Sequence, residues 1–290
     1  MGTVAKYNID GLHISYDVDG EILSGEEKVL LHNEHNLIAG LDWTETGYIT
    51  VPFPDQDFLT DLKQKVAEAI RFQTYKETQK TISSPLEYHK VVDNDQHKRI
   101  TRALYYESLF NNLDIDKTVF ESFISEQIGQ AVTTKNPYAP DSWLDDQRMS
   151  LRIVRPQEHD NNPLHKDVYI KELKHGVNIY LPLWGSDKKS SLPLIPGSHL
   201  WLESDFMRSA CGSLINGQRF SVPAITSSKH PLKAIRPNPE PGQIMIFSPY
   251  LIHGGAHNQN PDQTRISVEI RFWAKERHHD YSVEGYSYTQ

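Results

Sequence analysis

Cysteine is nearly missing: Cys211 stands alone among 290 residues, which excludes an intramolecular disulfide and fits a reducing compartment. Long apolar runs are missing too. No stretch approaches the roughly 18 apolar residues of a membrane-crossing helix, and the opening MGTVAKYNIDGLHISYDVDG has no apolar core of the kind that heads exported chains. A soluble, cytoplasmic chain with no membrane partner is the expectation. Met1-Gly2-Thr3 opens like an N-myristoylation signal, but Lys6 stands where such signals carry Ser or Thr. A basic excess is absent: 30 Lys and Arg face 38 Asp and Glu, for a net charge of -8. That balance argues against a nucleic-acid partner held by phosphate neutralisation, and Lys188-Lys189 reads as a solvated loop. Repeats, low-complexity segments and an independent linker are also lacking, so residues 1–290 are expected to form a single domain.

What is present changes texture along the chain. Residues 11 to 51 hold short alternating or apolar runs (LHISYDVDGE, GYITVPF) that read as strands. Asp55 then reads as the N-cap of a helix whose apolar face is Phe58, Leu62, Val66 and Ile70. A second helix is expected after Asp116, with Val119, Phe120, Phe123, Ile124 and Ile128 facing inward. From about 148 the runs become strand-like: RMSLRIVRP, HKDVYI, GVNIYLPLW, PLIPGSHL, GQIMIFSPYLIH and RISVEIRFWA, punctuated by Gly, Pro and Asn. The expected class is α+β, mainly β, with helices packed on one face of a sandwich or barrel. Residues 1–147 would supply helical and strand additions and 148–275 the core. The longest non-strand insert, 200–236, reads as a lid.

The chemistry gathers in the second half. In PLHKDVYI, His165 and Asp167 lie two apart on an expected strand, so both face one side while Leu164, Lys166 and Val168 face the other. A His-x-Asp pair alone is weak, and a second one, His278 and Asp280 in the tail, reads as a surface pair. A facial triad for non-haem Fe(II) needs another His. His253 is the best candidate: it ends an expected apolar strand begun after Pro241-Gly242, and two glycines follow it, permitting close backbone approach. Arg265 and Ser267 then share one strand face. An inward guanidinium suits a carboxylate bidentately and the hydroxyl adds a bond, so an anion should enter with the metal.

The stretches LHKDVYI, LPLIPGSHLW, PGQIMIFSPYLIHGGAHN and TRISVEIRFW, in this order and spacing over roughly the second half, resemble the phytanoyl-CoA hydroxylase family of Fe(II)- and 2-oxoglutarate-dependent oxygenases. The resemblance implies a double-stranded β-helix (jelly-roll) core, with Fe(II) held by His165, Asp167 and His253. It implies 2-oxoglutarate as co-substrate, its distal carboxylate on Arg265 with Ser267, and O2 as the oxidant. Two departures stand out: KKSSLPLIPGSH lacks the Asn-Gly that usually precedes Pro-Gly-Ser-His, and Gln243 stands where an acid is common. Both lie away from the expected metal and co-substrate contacts, and they bar any transfer of substrate preference. The first half shows no family likeness.

Other residues keep two readings. Asn178 and Tyr180 share a face of GVNIYLPL and either hydrogen-bond 2-oxoglutarate or substrate, or sit in the core. Arg271 reads as an ion-pair partner of Glu269 or another acid, Pro196 to His199 as a turn that positions a strand, and Trp184 as core or pocket wall. Tyr88, His89, Arg99 and Arg102 are candidates for a mouth over the iron. The expected activity is hydroxylation of an unactivated C–H bond in a small polar metabolite, with succinate and CO2 released. Asp167 favours hydroxylation over halogenation, since related halogenases lack that carboxylate. The rival readings are a non-catalytic jelly-roll that binds a metal or saccharide and a cupin-type isomerase or hydrolase, for which His-x-His ligand pairs are lacking.

Overall fold

The computed structural model describes residues 2–33, 36–139, 148–158 and 162–276. In chain order its elements are β1 (Thr3–Ile9), β2 (Leu12–Asp19), β3 (Ile22–Ser24), β4 (Tyr48–Pro52), α1 (Gln56–Thr78), α2 (Asn94–Glu107), α3 (Lys117–Ile128), β5 (Val132–Thr133), β6 (Met149–Val154), β7 (Gly176–Trp184), β8 (Phe206–Ser209), β9 (Leu214–Ile215), β10 (Gln218–Arg219), β11 (Ile225–Ser228), β12 (Lys233–Ala234), β13 (Gln243–Phe247) and β14 (Arg265–Ala274).

α1 begins where the Asp55 carboxylate accepts from the Phe58 backbone N–H, and α3 where Asp116 accepts from that of Thr118. Both helices match the sequence expectation. α2 does not appear in it, because only His97, Ile100 and Leu104 of this strongly polar helix are buried. Its sequence signal is the reciprocal capping box of Asp93 and Gln96. All three helices cover one face of a six-stranded sheet, β4-β13-β7-β14-β5 with β6 also on β14. Ile153, Val177, Ile179, Leu181, Ile244, Ile246, Val268 and Ile270 supply the sheet side of that core. The alternate residues of the same strands, including Arg152, Asn178, Tyr180, Arg265, Ser267, Glu269 and Arg271, lie on the opposite face by the two-residue period.

The second layer is built differently. β3-β8-β11 is extended by isolated antiparallel bridges: the Ile225 N–H donates to Leu164 O, His165 pairs with His253, His253 with Leu194, and Leu194 with Ile235. The chain thus visits the two layers in the order β6, His165, β7, Leu194, Ile235, β13, His253, β14, which is the eight-segment path of a jelly-roll. The fold is therefore α+β, mainly β, a double-stranded β-helix with helices on one sheet. Two expectations need correction. HKDVYI, PLIPGSHL and SPYLIH are not strands: His165, Leu194 and His253 are single bridge residues, Asp167–Tyr169 and Ser198–Leu200 are 3-10 turns, and β13 stops at Phe247. Prolines 163, 193 and 249 and glycines 254 and 255 interrupt these segments, so they cannot continue a ladder. The 200–236 insert is not a non-strand loop either, for it contains β8 to β12. β12, β9 and β8 pair with β1, β2 and β3, about 200 residues earlier in the chain, while β10 and β11 pair with β9 and β8, and strands of two to four residues do not announce such pairings locally.

Candidate metal centre

His165 and His253 exchange both backbone hydrogen bonds, each 3.0 Å. Directly opposed residues project to the same side, which puts the two imidazole rings 4.4 Å apart. Lys166 is extended (φ -109°, ψ 133°), so Asp167 returns to the side of His165 even though no strand continues. The side alternation read from the sequence survives in a segment one residue long: Leu164 and Val168 pack into separate apolar clusters on the far side. Gly254 has φ +92°, and a Cβ there would lie 2.6 Å from Pro163 O and 2.9 Å from His165 Nδ1. Glycine is thus required after His253 for the bridge to close. Ser198, in the Pro196 to His199 turn, accepts the Ile252 N–H on its hydroxyl, so that turn does position the His253 segment.

The three side chains are buried, and one ligand atom from each lies within 4.8 Å of the others. His165 Nδ1 donates to Pro163 O at 2.7 Å and His253 Nδ1 to Leu251 O at 2.9 Å. These bonds place the ring protons on Nδ1 and leave both Nε2 lone pairs facing inward. Asp167 Oδ1 is 3.2 Å from His165 Nε2 and 3.7 Å from His253 Nε2. Adjacent ligands of a six-coordinate ion with bonds of about 2.1 Å lie about 3 Å apart, so small shifts suffice to seat one. The other oxygen, Oδ2, accepts from Asn178 Nδ2 at 2.8 Å and from Arg271 Nη2 at 3.1 Å and Nε at 3.3 Å. Burial works to raise the Asp167 pKa, but Arg271 and the two imidazoles outweigh it and hold the carboxyl well below its ordinary value. Burial and the neighbouring His165 push His253 down to about 4, leaving it neutral at pH 7. Two imidazoles with Nδ1 engaged on backbone carbonyls and one carboxylate are a donor set that fits Fe(II).

Arg265 and Ser267 sit on the same face of β14 as Arg271, fully buried, with Arg265 Nη1 donating to the Ser267 hydroxyl. An apolar cluster of Tyr180, Leu192, Leu194, Met245, Phe247 and Leu251 links them to the triad. Phe247 is edge-on to His253 at 5.0 Å, and the Arg265 guanidinium is 5.8 Å from the Tyr180 ring centroid. Tyr180 hydrogen-bonds Ser186. Of the open sequence readings, Arg271 pairs with Asp167, not with Glu269, which binds Arg152 at 3.0 Å. Trp184 packs on the helix-side core. Tyr88 and His89 face His97 and Thr264, and Arg99 pairs with Glu77, so these mouth candidates are turned elsewhere. His278 and Asp280 lie outside the described residues.

Sequence reasoning missed the charge pair behind the site. Lys166 Nζ meets Glu203 Oε1 at 2.5 Å with both side chains buried, Tyr169 donates to Glu203 Oε2, and Lys166 stands 4.6 Å from the centre of the Phe206 ring. A lysine between two ligands was a visible signal, but its acid is 37 residues away. No helix among the described residues is long and apolar enough to cross a membrane.

No family model matches the chain, and no curated protein does. Among solved structures it is similar to EctD from S. alaskensis with 2-oxoglutarate and 5-hydroxyectoine, at 11% identity over 88% of this chain and 84% of that one, TM-score 0.47. It is also similar to the non-heme alpha ketoglutarate dependent epimerase SnoN from nogalamycin biosynthesis (12% identity, 80% and 79% covered, TM-score 0.39). A third is the non-heme monooxygenase ThoJ in its Ni complex (11%, 82% and 77%, TM-score 0.42).

Proposed function

We propose that this chain is an Fe(II)- and 2-oxoglutarate-dependent dioxygenase, of the phytanoyl-CoA hydroxylase-like kind, that hydroxylates an unactivated C–H bond of a small polar metabolite. The observation that carries the reading is the convergence of His165 Nε2, His253 Nε2 and Asp167 Oδ1, each on a side chain whose other polar atom is already engaged. Iron with 2-oxoglutarate bound supplies oxidation by O2 coupled to decarboxylation, giving succinate and CO2. The chain's part is to bind, orient and keep water out. His165, Asp167 and His253 hold one face of the ion. Arg265 with Ser267 takes the distal carboxylate of 2-oxoglutarate, at a depth where a charge-assisted bond is strong because water does not compete. Tyr180 walls that site, while Asn178 and Arg271 fix the Asp167 carboxylate. Retention of Asp167 favours hydroxylation over halogenation, and the single cysteine favours a cytoplasmic setting.

Anaerobic titration with Fe(II) and 2-oxoglutarate tests this through the weak visible charge-transfer band of the chelate. The band is expected in the wild type and lost or strongly weakened in His165→Ala and Arg265→Ala. Metal binding with no band at any 2-oxoglutarate concentration would overturn the reading and favour a non-catalytic jelly-roll that binds a metal or a saccharide.

A further inference from the structure

The face of β14 that carries Arg265, Ser267 and Arg271 carries one more polar side chain, Glu269, which neither the metal nor the co-substrate needs. Same-face residues of a strand follow one another at about 6.8 Å, so Glu269 stands between Ser267 and the arginine that holds Asp167. Across the ladder it opposes Ser150 on one side and Tyr180 on the other, and Arg152, two residues along β6, meets its Oε2 at 3.0 Å. Both members of this ion pair line the small pocket that holds His165, Asp167 and His253.

The pair is not packed away as a structural pair in a core would be. Its side chains stay 27% and 17% exposed, for Arg152 and Glu269, in a pocket whose metal-binding residues are buried. Arg152 occupies Oε2, and no hydrogen bond from a described residue occupies Oε1. Burial works to raise the Glu269 pKa, but Arg152 and Arg271 outweigh it and hold the carboxyl below its ordinary value. The open oxygen is thus a charged acceptor at pH 7. Because Arg152 cancels the charge, the pair offers a ligand an aimed acceptor rather than a net field. Such an oxygen rewards a hydrogen-bond donor and repels a carbonyl, ether or carboxylate oxygen set in the same place. Arg152 and Asn162 also line an adjoining cavity of about 440 Å³, enough for the body of a small molecule. A ligand seated there meets the triad past this pair.

We infer that Glu269 selects and orients the substrate: its open oxygen accepts a hydrogen bond from a hydroxyl or amine group next to the carbon brought to the metal, and Arg152 positions it for that task. This rests on the oxygenase reading for the fate of that carbon. The donor-selecting subsite itself is independent of that reading.

Ligand-observed NMR on the full chain, loaded with diamagnetic Zn(II) and saturated with 2-oxoglutarate, tests it with cyclohexanol, cyclohexylammonium and cyclohexanone, which share a ring and differ in the donor. The alcohol or the ammonium is expected to bind at least about tenfold more tightly than the ketone, the size of one hydrogen bond to a charged acceptor, and the tighter of the two names the donor. With Mn(II) in place of Zn(II), the proton on the substituted carbon is expected to relax faster than those across the ring. Glu269→Gln is expected to remove most of the donor preference. Arg152→Met with Glu269→Leu, which leaves no charge alone, is expected to abolish it; thermal unfolding and Zn(II) affinity check the fold of each variant. A ketone bound as tightly as the donors, no probe bound at millimolar concentration, equal relaxation around the ring, or an unchanged preference in either folded variant overturns the inference. Absence of the Fe(II) and 2-oxoglutarate band with the donor preference intact removes the oxygenase reading and leaves the subsite standing.

Discussion

Asp167 divides its two oxygens between two tasks. Oδ1 faces the imidazoles, while Oδ2 is held by Asn178 and by two nitrogens of Arg271. A ligand carboxylate pinned in this way is presented through one oxygen, and its charge is kept by the adjacent guanidinium. Arg271→Met keeps much of the side-chain volume but removes those donors. It is expected to weaken Fe(II) binding about 10- to 100-fold, the usual cost of deleting an outer partner of a metal ligand, with Arg271→Lys recovering part of the loss. Competition against a metal-sensitive dye measures this directly; unchanged affinity in a folded Arg271→Met chain would show that the carboxylate holds its pose unaided. At this scale the sequence was legible for His165, Asp167 and His253, because residue chemistry and a two-residue side alternation point to them. The partners of the ligands were not legible. Arg271 lies 104 residues from Asp167, and nothing in a local window says which acid an inward arginine meets.

The segment from Leu164 to Tyr169 is too short to be stabilised as a strand, and its backbone makes one bridge before turning. What anchors it on the far side is the buried pair of Lys166 and Glu203. Burial draws the Lys166 ammonium below its ordinary pKa, and Glu203 counters by attraction and a hydrogen bond. Removing one member leaves the other charge buried alone, at a cost of about 3–5 kcal/mol, whereas replacing both with apolar groups can be neutral or stabilising. Lys166→Met is therefore expected to lower unfolding free energy by that amount in urea, and Lys166→Met with Glu203→Leu to recover most of it. A double variant no more stable than the single one would mean that the pair is not what anchors the segment. Elements of ordinary length were readable where apolar spacing ran for several turns, as in α1 and α3 with their Asp caps. α2 was hidden by its polar surface, and the second-layer segments by prolines and glycines that break the period a strand needs in order to be seen.

The largest scale concerns how the N-terminal hairpin belongs to the whole. Alternation in β1 and β2 buries Ala5, Tyr7, Ile9, Ile14, Tyr16 and Val18 in one cluster with Leu164, Ile195, Ile225 and Ile252. Of those last four, Leu164 and Ile252 immediately precede His165 and His253, while Ile225 donates its N–H to Leu164 O and Ile195 to Ile252 O. Five of the hairpin side chains are large, and at about 1.5–3 kcal/mol for each buried their sum is about 8–15 kcal/mol. Conformational entropy offsets much of that gross gain, but the burial is continuous with the segments next to His165 and His253, so the hairpin is expected to act as core rather than as an addition to a finished jelly-roll. A chain starting at residue 25 is then expected to lose cooperative thermal unfolding and to be cut rapidly by protease within 200–236, whose strands have lost their partners. Adding a peptide of residues 2–24 in trans should restore protection and, with it, Fe(II) affinity. If the shortened chain instead unfolds at the wild-type temperature and binds Fe(II) equally well, the molecule contains a self-sufficient inner barrel, and the hairpin is a later layer on a site that stands without it.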